Sequence, residues 1–257
     1  MKIISWNVNG LRAVLKNQFE DNIKTLDPDF ICIQETKLKE ELENTYLSNY
    51  YKYFNFSRRL GYSGVAIFSK KKADNIIVGM KLENECGELE NFDVESRVLT
   101  LEYNDFYIVS VYVPYSQTRR NREDFRIEFD EKFQKYIEKL NDTKNVIVCG
   151  DFNVCHKDID IYNLEKHENL KIFADEKRAN FNELLKELNL IDTYRFMHPQ
   201  MRKFTYWTNE INNRNRSGWR LDYILVSEFL RKNIRQANIL DGITGSDHCP
   251  IELIIKM

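Results

Sequence analysis

A chain of 257 residues that is 42% hydrophobic and 30% charged can bury a sizeable core and has the make-up of a soluble globular protein, which excludes a disordered or fibrous one. Its 38 Lys and Arg against 40 Asp and Glu leave a net charge of −2, so any nucleic-acid footprint must be local. Five cysteines without CxxC spacing argue for reduced, packed thiols rather than disulfides or zinc. With no signal peptide and no run of about 18 apolar residues, the expectation is a cytoplasmic protein without a membrane span.

In chain order, Lys2 to Trp6 reads as a strand that Asn7-Val8-Asn9-Gly10 breaks. Leu11, Val14, Leu15, Phe19, Ile23 and Leu26 then recur at helical spacing up to Asp27-Pro28-Asp29. The apolar run Phe30 to Ile33 delivers Gln34, Glu35, Thr36 and Lys37 at its end. A helical segment near Glu40 to Tyr46 leads to strands at Tyr51 to Phe56 and Gly64 to Ser69, followed by a solvated turn at Lys70 to Lys72. Arg97 to Tyr103 and Phe106 to Val113 form a hairpin across Asn104-Asp105.

Phe125, Phe129, Phe133, Tyr136, Ile137 and Leu140 mark a helical stripe before the strand Val146 to Cys149 and the loop Gly150 to Asn153. A further helix, about Glu176 to Leu188, precedes Leu190-Ile191-Asp192, and Asp222 opens a strand at the end of an Asn-, Arg- and aromatic-rich segment. Ser246-Asp247-His248-Cys249-Pro250 stands just before a last apolar run, Ile251 to Ile255. Pro250 biases its predecessor away from helix, so Asp247 and His248 belong on an extended loop at a strand mouth. Strands and helices interleave without a Gly/Ser/Pro-rich linker, and several strand connections are too short for a crossover. The expectation is one α/β domain over residues 1–257, with two mixed β-sheets packed face to face and helices outside.

Five polar motifs sit at strand ends or loops: Trp6 to Gly10, Gln34 to Lys37, Gly150 to Asn153, Trp219 to Tyr223 and Ser246 to Pro250. Together they offer Asn7, Glu35, Asp151, Asn153, Asp222, Asp247 and His248, oxygen and nitrogen donors without a thiolate. A hard divalent cation such as Mg²⁺ takes such ligands, with water or phosphate completing its shell. The composition points to phosphate-ester chemistry. Trp6, Phe152 and Tyr223 alternate with these residues and are expected in the core.

In this order, and with Tyr112-Val113-Pro114 and Phe204 to Thr208 added, the motifs resemble the exonuclease III family of apurinic/apyrimidinic endonucleases, within the endonuclease/exonuclease/phosphatase superfamily. The resemblance spans Lys2 to the last strand. It implies a four-layered α/β sandwich, dependence on Mg²⁺ or Mn²⁺, and hydrolysis of the phosphodiester 5′ to abasic sites in double-stranded DNA, with 3′-5′ exonuclease or 3′-phosphodiesterase activity beside it, by a monomer. It makes Glu35 the principal metal ligand, with Asn7 beside it and Asp247 as a further ligand. Asp151 is similar to the family's general base or water-holder, Asn153 orients the water, Tyr112 contacts the scissile phosphate, and His248 binds a phosphate oxygen while Asp222 orients it. Asn9, Arg119, Tyr206 and Trp219 fall where substrate is held, the last two where the lesion pocket is lined, whereas Trp207 packs inward. His156 is either a plain loop histidine or a DNA-backbone contact, and His167 and His198 read as surface residues.

Two positions depart from the family. Tyr115 stands where Asn or Gln is usual, which leaves the phosphate contact there to its hydroxyl or to Gln117; Asn9 stands where some relatives have Asp. Arg119, Arg120, Arg122, Arg202, Arg214 and Arg216 form the candidate phosphate footprint. Two other functions share some of these features. A phosphatase of inositol phosphates or lipids would not need the Arg- and Trp-bearing segment from Arg202 to Trp219, and a DNA-binding scaffold without catalysis would not keep Glu35, Asp151, Asn153 and His248 together.

Overall fold

The computed structural model describes residues 1–42, 46–84, 86–115, 120–163, 174–208 and 218–257. One mixed sheet runs in the order β13-β14-β1-β2-β4-β3. Its strands are β1 (Lys2–Asn7), β2 (Phe30–Gln34), β3 (Tyr51–Asn55), β4 (Val65–Ser69), β13 (Ile234–Ile239) and β14 (Ile251–Ile255). The other runs β11-β12-β10-β9-β8-β5, from β5 (Asn75–Val78), β8 (Val98–Glu102), β9 (Phe106–Tyr112), β10 (Asn145–Asp151), β11 (Leu190–Asp192) and β12 (Asp222–Ser227). A small ribbon pairs β6 (Lys81–Glu83) with β7 (Leu89–Asn91). β1 and β2 are parallel, as are β9 and β10, while their other neighbours are antiparallel, so both sheets are mixed.

Side-chain alternation builds the layers. Phe30 and Cys32 of β2 face Ile108, Ile147 and Cys149 of the opposite sheet in one buried cluster. Ile31 and Ile33 turn outward, onto a cluster that includes Leu11, Val14, Phe19 and Ile23 from α1 (Leu11–Leu15) and α2 (Phe19–Leu26). Val146 and Val148 turn the other way, onto Phe129, Phe133, Tyr136 and Ile137 of α3 (Arg120–Asn141) and Phe181 and Leu184 of α4 (Asp175–Glu187). Helices, sheet, sheet and helices stack as the four-layered α/β sandwich expected.

The elements differ from expectation in particular places. The first helical stripe is two helices, because the Asn17 amide takes the Ala13 carbonyl and ends α1, after which Phe19 stacks on Trp6 at 5.5 Å. No helix forms at Glu40 to Leu42 or at Tyr46; Tyr46 instead tucks its ring against Phe68. Gly150 and Asp151 belong to β10 rather than to the loop after it. Four short or polar strands (β5, β6, β7 and β13) and α5 (Thr193–Met197) lie outside the expected elements, because they lack a clear apolar period. Lys70 is tied to the Asp27 carboxylate at 2.5 Å, and His198 is only partly exposed, its Nε2 bonded to the Ala237 carbonyl at 2.9 Å.

Candidate active site

The inward rows of both sheets turn polar at one end. Ser5 of β1, Gln34 of β2 and Ser110 of β9 are buried, and the Gln34 amide nitrogen spans the sheets, reaching Ser5 Oγ at 3.2 Å and Ser110 Oγ at 3.1 Å. Two residues further along the same rows come Asn7, Tyr112 and Asp151, with Asp222 opposite Asp151 at the start of antiparallel β12. Period two therefore delivers four polar side chains to one mouth of the sandwich. Gly150 lets β10 run this close to β9, since a Cβ there would lie 2.0 Å from the Val111 carbonyl oxygen.

The strand ends turn by the same local device. Asn7 Oδ1 accepts the Asn9 N–H at 3.0 Å and Asp151 Oδ1 accepts the Asn153 N–H at 2.9 Å. Asn9 and Asn153 both take the left-handed conformation at φ 48°, which a short polar side chain tolerates better than others. Glu35 is left-handed as well (φ 52°), and its loop is held by N–H bonds from Thr36 to the Gly64 carbonyl and from Lys37 to that of Ser63. Such clustering of costly backbone states is characteristic of functional sites.

Asn7 links the two carboxylates, its Nδ2 donating to Glu35 Oε1 at 3.0 Å and to Asp151 Oδ2 at 2.9 Å. His248 arrives on the loop before β14. That loop is pinned to β1, since the Trp6 indole N–H donates to the His248 carbonyl at 3.1 Å and the Ser246 hydroxyl to the Asn7 carbonyl at 2.9 Å. The imidazole Nδ1 lies 2.8 Å from Asp222 Oδ2 and Nε2 lies 3.8 Å from Asp151 Oδ2.

Burial sets the electrostatics here. It pushes the Asp151 carboxyl up to about 7, with Asp222 adding to the rise and His248, the Asn153 N–H and Asn7 opposing it. For His248, burial works against the charged ring, but Asp222 first, then Asp151 and Asp247, overcome it and raise the imidazole to about 10. Glu35 shows the reverse balance: burial would raise it, yet bonds from Asn7 and Tyr112 and the charge of Lys37, 3.1 Å away, hold it below the usual range. Burial, with Glu35 nearby, pushes the Tyr112 hydroxyl well up, so it stays a proton donor. The Arg97 guanidinium lies 4.6 Å over the Tyr112 ring and bonds its carbonyl at 3.0 Å.

A cleft of about 390 Å³ is lined by Glu35, Tyr112, Asp151, Asn153, Tyr206, Trp219, Asp247 and His248 from the expected set, and also by Tyr115, Thr208 and Leu221. Asn7 and Asp222 stand behind this wall, each bonded to a residue that lines it. Leu221 was discoverable, because it falls two residues after Trp219 and so shares its side of the chain. Tyr206 and Trp219 stack at 5.3 Å, and Tyr206 also packs on His248 at 4.8 Å. Trp6, Phe152, Tyr223 and Trp207 are in the core as expected.

Other expected residues do not line this cleft. His156 is buried against Phe181 with Nε2 2.6 Å from Asn182 Oδ1, away from the cleft, and burial lowers its pKa. Asn9 is exposed and bonded by Lys37. Arg122 is committed to Glu95 at 2.7 Å, while Arg202 reaches the Ile161 carbonyl at 2.6 Å. Arg119, Arg214, Arg216, Gln117 and His167 lie outside the described residues.

The donors suit a hard cation. Glu35 and Asp151 converge on a single amide nitrogen, an excess of anionic oxygen over positive charge. Among the described residues, Asp151, Asp222 and His248 also form a compact group whose donor atoms all lie within 4.8 Å of one another. His248 is a poor ligand within it, because flanking carboxylates keep a proton on the ring. Asn7 turns its nitrogen, not its oxygen, to the carboxylates, so serving as a ligand would require its amide to rotate.

A model of the endonuclease/exonuclease/phosphatase family matches residues 4–248. An exodeoxyribonuclease of Bacillus subtilis is 40% identical over 260 residues, with both chains wholly covered. A DNA-(apurinic or apyrimidinic site) endonuclease of Dictyostelium discoideum is 38% identical over 264 residues, covering all of this chain and 71% of its own. Among solved structures, an AP endonuclease from Leishmania major superposes with a TM-score of 0.87 at 29% identity, covering all of this chain and 87% of that one.

Proposed function

Because the chain belongs to the endonuclease/exonuclease/phosphatase family, whose matched span encloses every residue lining the cleft, we propose that it is a metal-dependent DNA repair nuclease that hydrolyses the phosphodiester 5′ to abasic sites in duplex DNA. Activity at 3′ ends, as exonuclease or phosphodiesterase, accompanies it. One observation carries this reading: a buried carboxylate, a carboxylate-paired imidazole and a second carboxylate meet at one cleft, beside a stacked aromatic pair. A lipid or inositol phosphatase has no use for that aromatic wall, and a scaffold has none for the polar set.

Asp151 accepts a proton from the attacking water while Asn153, whose backbone N–H fixes the Asp151 carboxylate, helps hold that water. The water oxygen bonds to phosphorus as the bond from phosphorus to the 3′-oxygen breaks, and the departing 3′-oxygen takes up a proton from solvent, leaving a 3′-hydroxyl. His248, kept protonated by Asp222, and the Tyr112 hydroxyl donate hydrogen bonds to the phosphate oxygens as charge grows on them. Glu35, with Asp247 beside it, would hold the cation, for which we propose Mg²⁺ or Mn²⁺. When bound, the cation supplies charge neutralisation at the phosphate and at the departing 3′-oxygen. Tyr206, Trp219 and Leu221 would receive the bare deoxyribose, which has no base to unstack.

We further read the chain as a single-domain monomer of the cytoplasm, a reading supported by the pairing of β1 with β14 and by four buried, free cysteines. The deciding experiment is incubation with duplex DNA carrying one abasic analogue, with Mg²⁺ or with chelator, followed by end-group analysis. Incision 5′ to the lesion that leaves a 3′-hydroxyl and stops with chelator is expected; an uncut duplex removes the nuclease reading.

A further inference from the structure

The imidazole and its carboxylate partner come from segments that do not pair with each other: Asp222 opens β12, and His248 lies on the loop before β14. Between them runs the segment Phe204–Trp207, bonded on both sides. On one side, the Thr205 and Tyr206 N–H groups both donate to the Trp219 carbonyl at 2.9 Å. On the other, the Thr205 carbonyl accepts the Cys249 N–H at 2.8 Å and the Asp247 carbonyl accepts the Trp207 N–H at 3.1 Å. Tyr206 accordingly makes isolated bridges to both Trp219 and His248.

The side chain of Thr205 adds what the backbone does not. It is wholly buried, and its hydroxyl oxygen accepts the N–H groups of Leu221 at 3.0 Å and Asp222 at 3.2 Å. β11 cannot serve the Asp222 N–H, because its pairing with β12 ends with Asp192 opposite Leu225. One hydroxyl therefore stands in for the missing strand at the residue that orients His248. The Trp219 carbonyl, 3.5 Å away, is within reach of the hydroxyl's own hydrogen. Two buried donors on one acceptor leave the start of β12 no free choice of position, since losing that acceptor would strand both.

We propose that Thr205 is a positioning residue for the Asp222–His248 pair, an inference that rests on the nuclease reading for its effect on rate. It touches neither the reacting phosphate nor the attacking water; it holds Asp222 where the 2.8 Å bond to His248 can form. Misplacing a catalytic group by an ångström or so is enough to cost about 10²-fold in rate.

The test compares Thr205→Val, which keeps shape but removes the acceptor, with Thr205→Ser, which keeps the acceptor. Single-turnover incision of abasic duplex should fall about 10²-fold in Thr205→Val while affinity changes by less than about threefold, and Thr205→Ser should recover most of the rate. In an Asp222→Asn background the Thr205→Val loss should largely disappear; losses that multiply instead would overturn the proposal. If Thr205→Val does not fold, Thr205→Ala, which also removes the hydroxyl acceptor, takes its place. A Thr205→Ser variant as slow as either would also overturn it. A readout independent of DNA cutting is the proton NMR signal of the His248 Nδ1–H, assigned by its loss in His248→Ala. It should shift in Thr205→Val and return in Thr205→Ser even if the native protein cuts nothing, whereas an unmoved signal rejects the positioning role and leaves the nuclease reading intact.

Discussion

Asp151 and Asp222 are direct partners across the β10 and β12 pairing, and His248 stands between their carboxylates. The arrangement gives the two acids opposite duties. Asp222 is spent on Nδ1 of the ring, whereas Asp151 lines the cleft and has a raised pKa that suits a base working near neutrality.

The pH dependence follows from these values. Incision needs Asp151 ionised and His248 protonated, so the rate should climb to a plateau with a limb at or below about 7, lower once a cation is bound, and decline above about 10. Asp222→Asn should move the alkaline limb to lower pH. The folded His248 pKa lies above its ordinary 6.5, so the pair's contribution to stability is complete below 6.5 and is lost as pH rises through about 10. Denaturant titrations of the native protein and Asp222→Asn should therefore show a gap that narrows over that window. A constant gap would remove the pair as its source.

Glu35→Gln should weaken cation dependence and activity together, because a neutral amide cannot balance the ion's charge. A Mg²⁺ titration of single-turnover incision checks this: an unchanged half-saturation would take Glu35 out of the metal site.

Asp151→Asn and His248→Ala should each lower the rate by at least about 10³ while abasic DNA still binds, since both act on the transition state. Their proximity predicts that the double variant loses less than the product. Full multiplication would show that they act separately.

Much of this site was legible in the sequence because strand period and turn chemistry act locally. Alternation alone carries Asn7, Tyr112 and Asp151 to one face, and Asn-Val-Asn and Asp-Phe-Asn are turns by composition. What was not legible depends on partners distant in the chain. His156 sits in a motif of the right kind, yet Phe181 and Asn182 of α4 bury it. Thr205 is unremarkable as a sequence symbol and gains its place only where three segments meet. Strands such as β5 and β13 expose alternate or consecutive positions at sheet edges, so their residues carry little apolar signal.

Arg220 shows how the pocket wall is braced. Fully buried between Trp219 and Leu221, it bonds Asp160 at 2.7 and 3.0 Å and Asp192 at 2.7 and 3.2 Å, with its guanidinium 4.3 Å over Tyr223. Arg220→Met would leave two buried carboxylates with only Arg195 and backbone donors, a loss of about 3–5 kcal/mol. Chemical denaturation measures it directly; a loss under about 1 kcal/mol would mean that the cluster relaxes without its arginine.

The aromatic wall should decide which nucleotide enters. Tyr206 touches both Trp219 and His248, so the surface that would accept the sugar is continuous with the group that would hold the phosphate. An abasic sugar is flipped out more cheaply than an intact nucleotide, and a narrow aromatic slot then excludes any base on steric grounds. Trp219→Ala removes one side of that slot without touching Glu35 or Asp151. It should lower the preference for abasic over undamaged duplex mainly by letting intact nucleotides in, while leaving the Mg²⁺ half-saturation where it was. Tyr206→Ala should do the same and, because its ring also packs on His248, slow incision of the abasic substrate as well. The measurement is the ratio of single-turnover rates on matched abasic and undamaged duplexes. If that ratio is the same in both variants as in the native protein, discrimination lies outside the Tyr206–Trp219 wall, even though the phosphodiester chemistry stands.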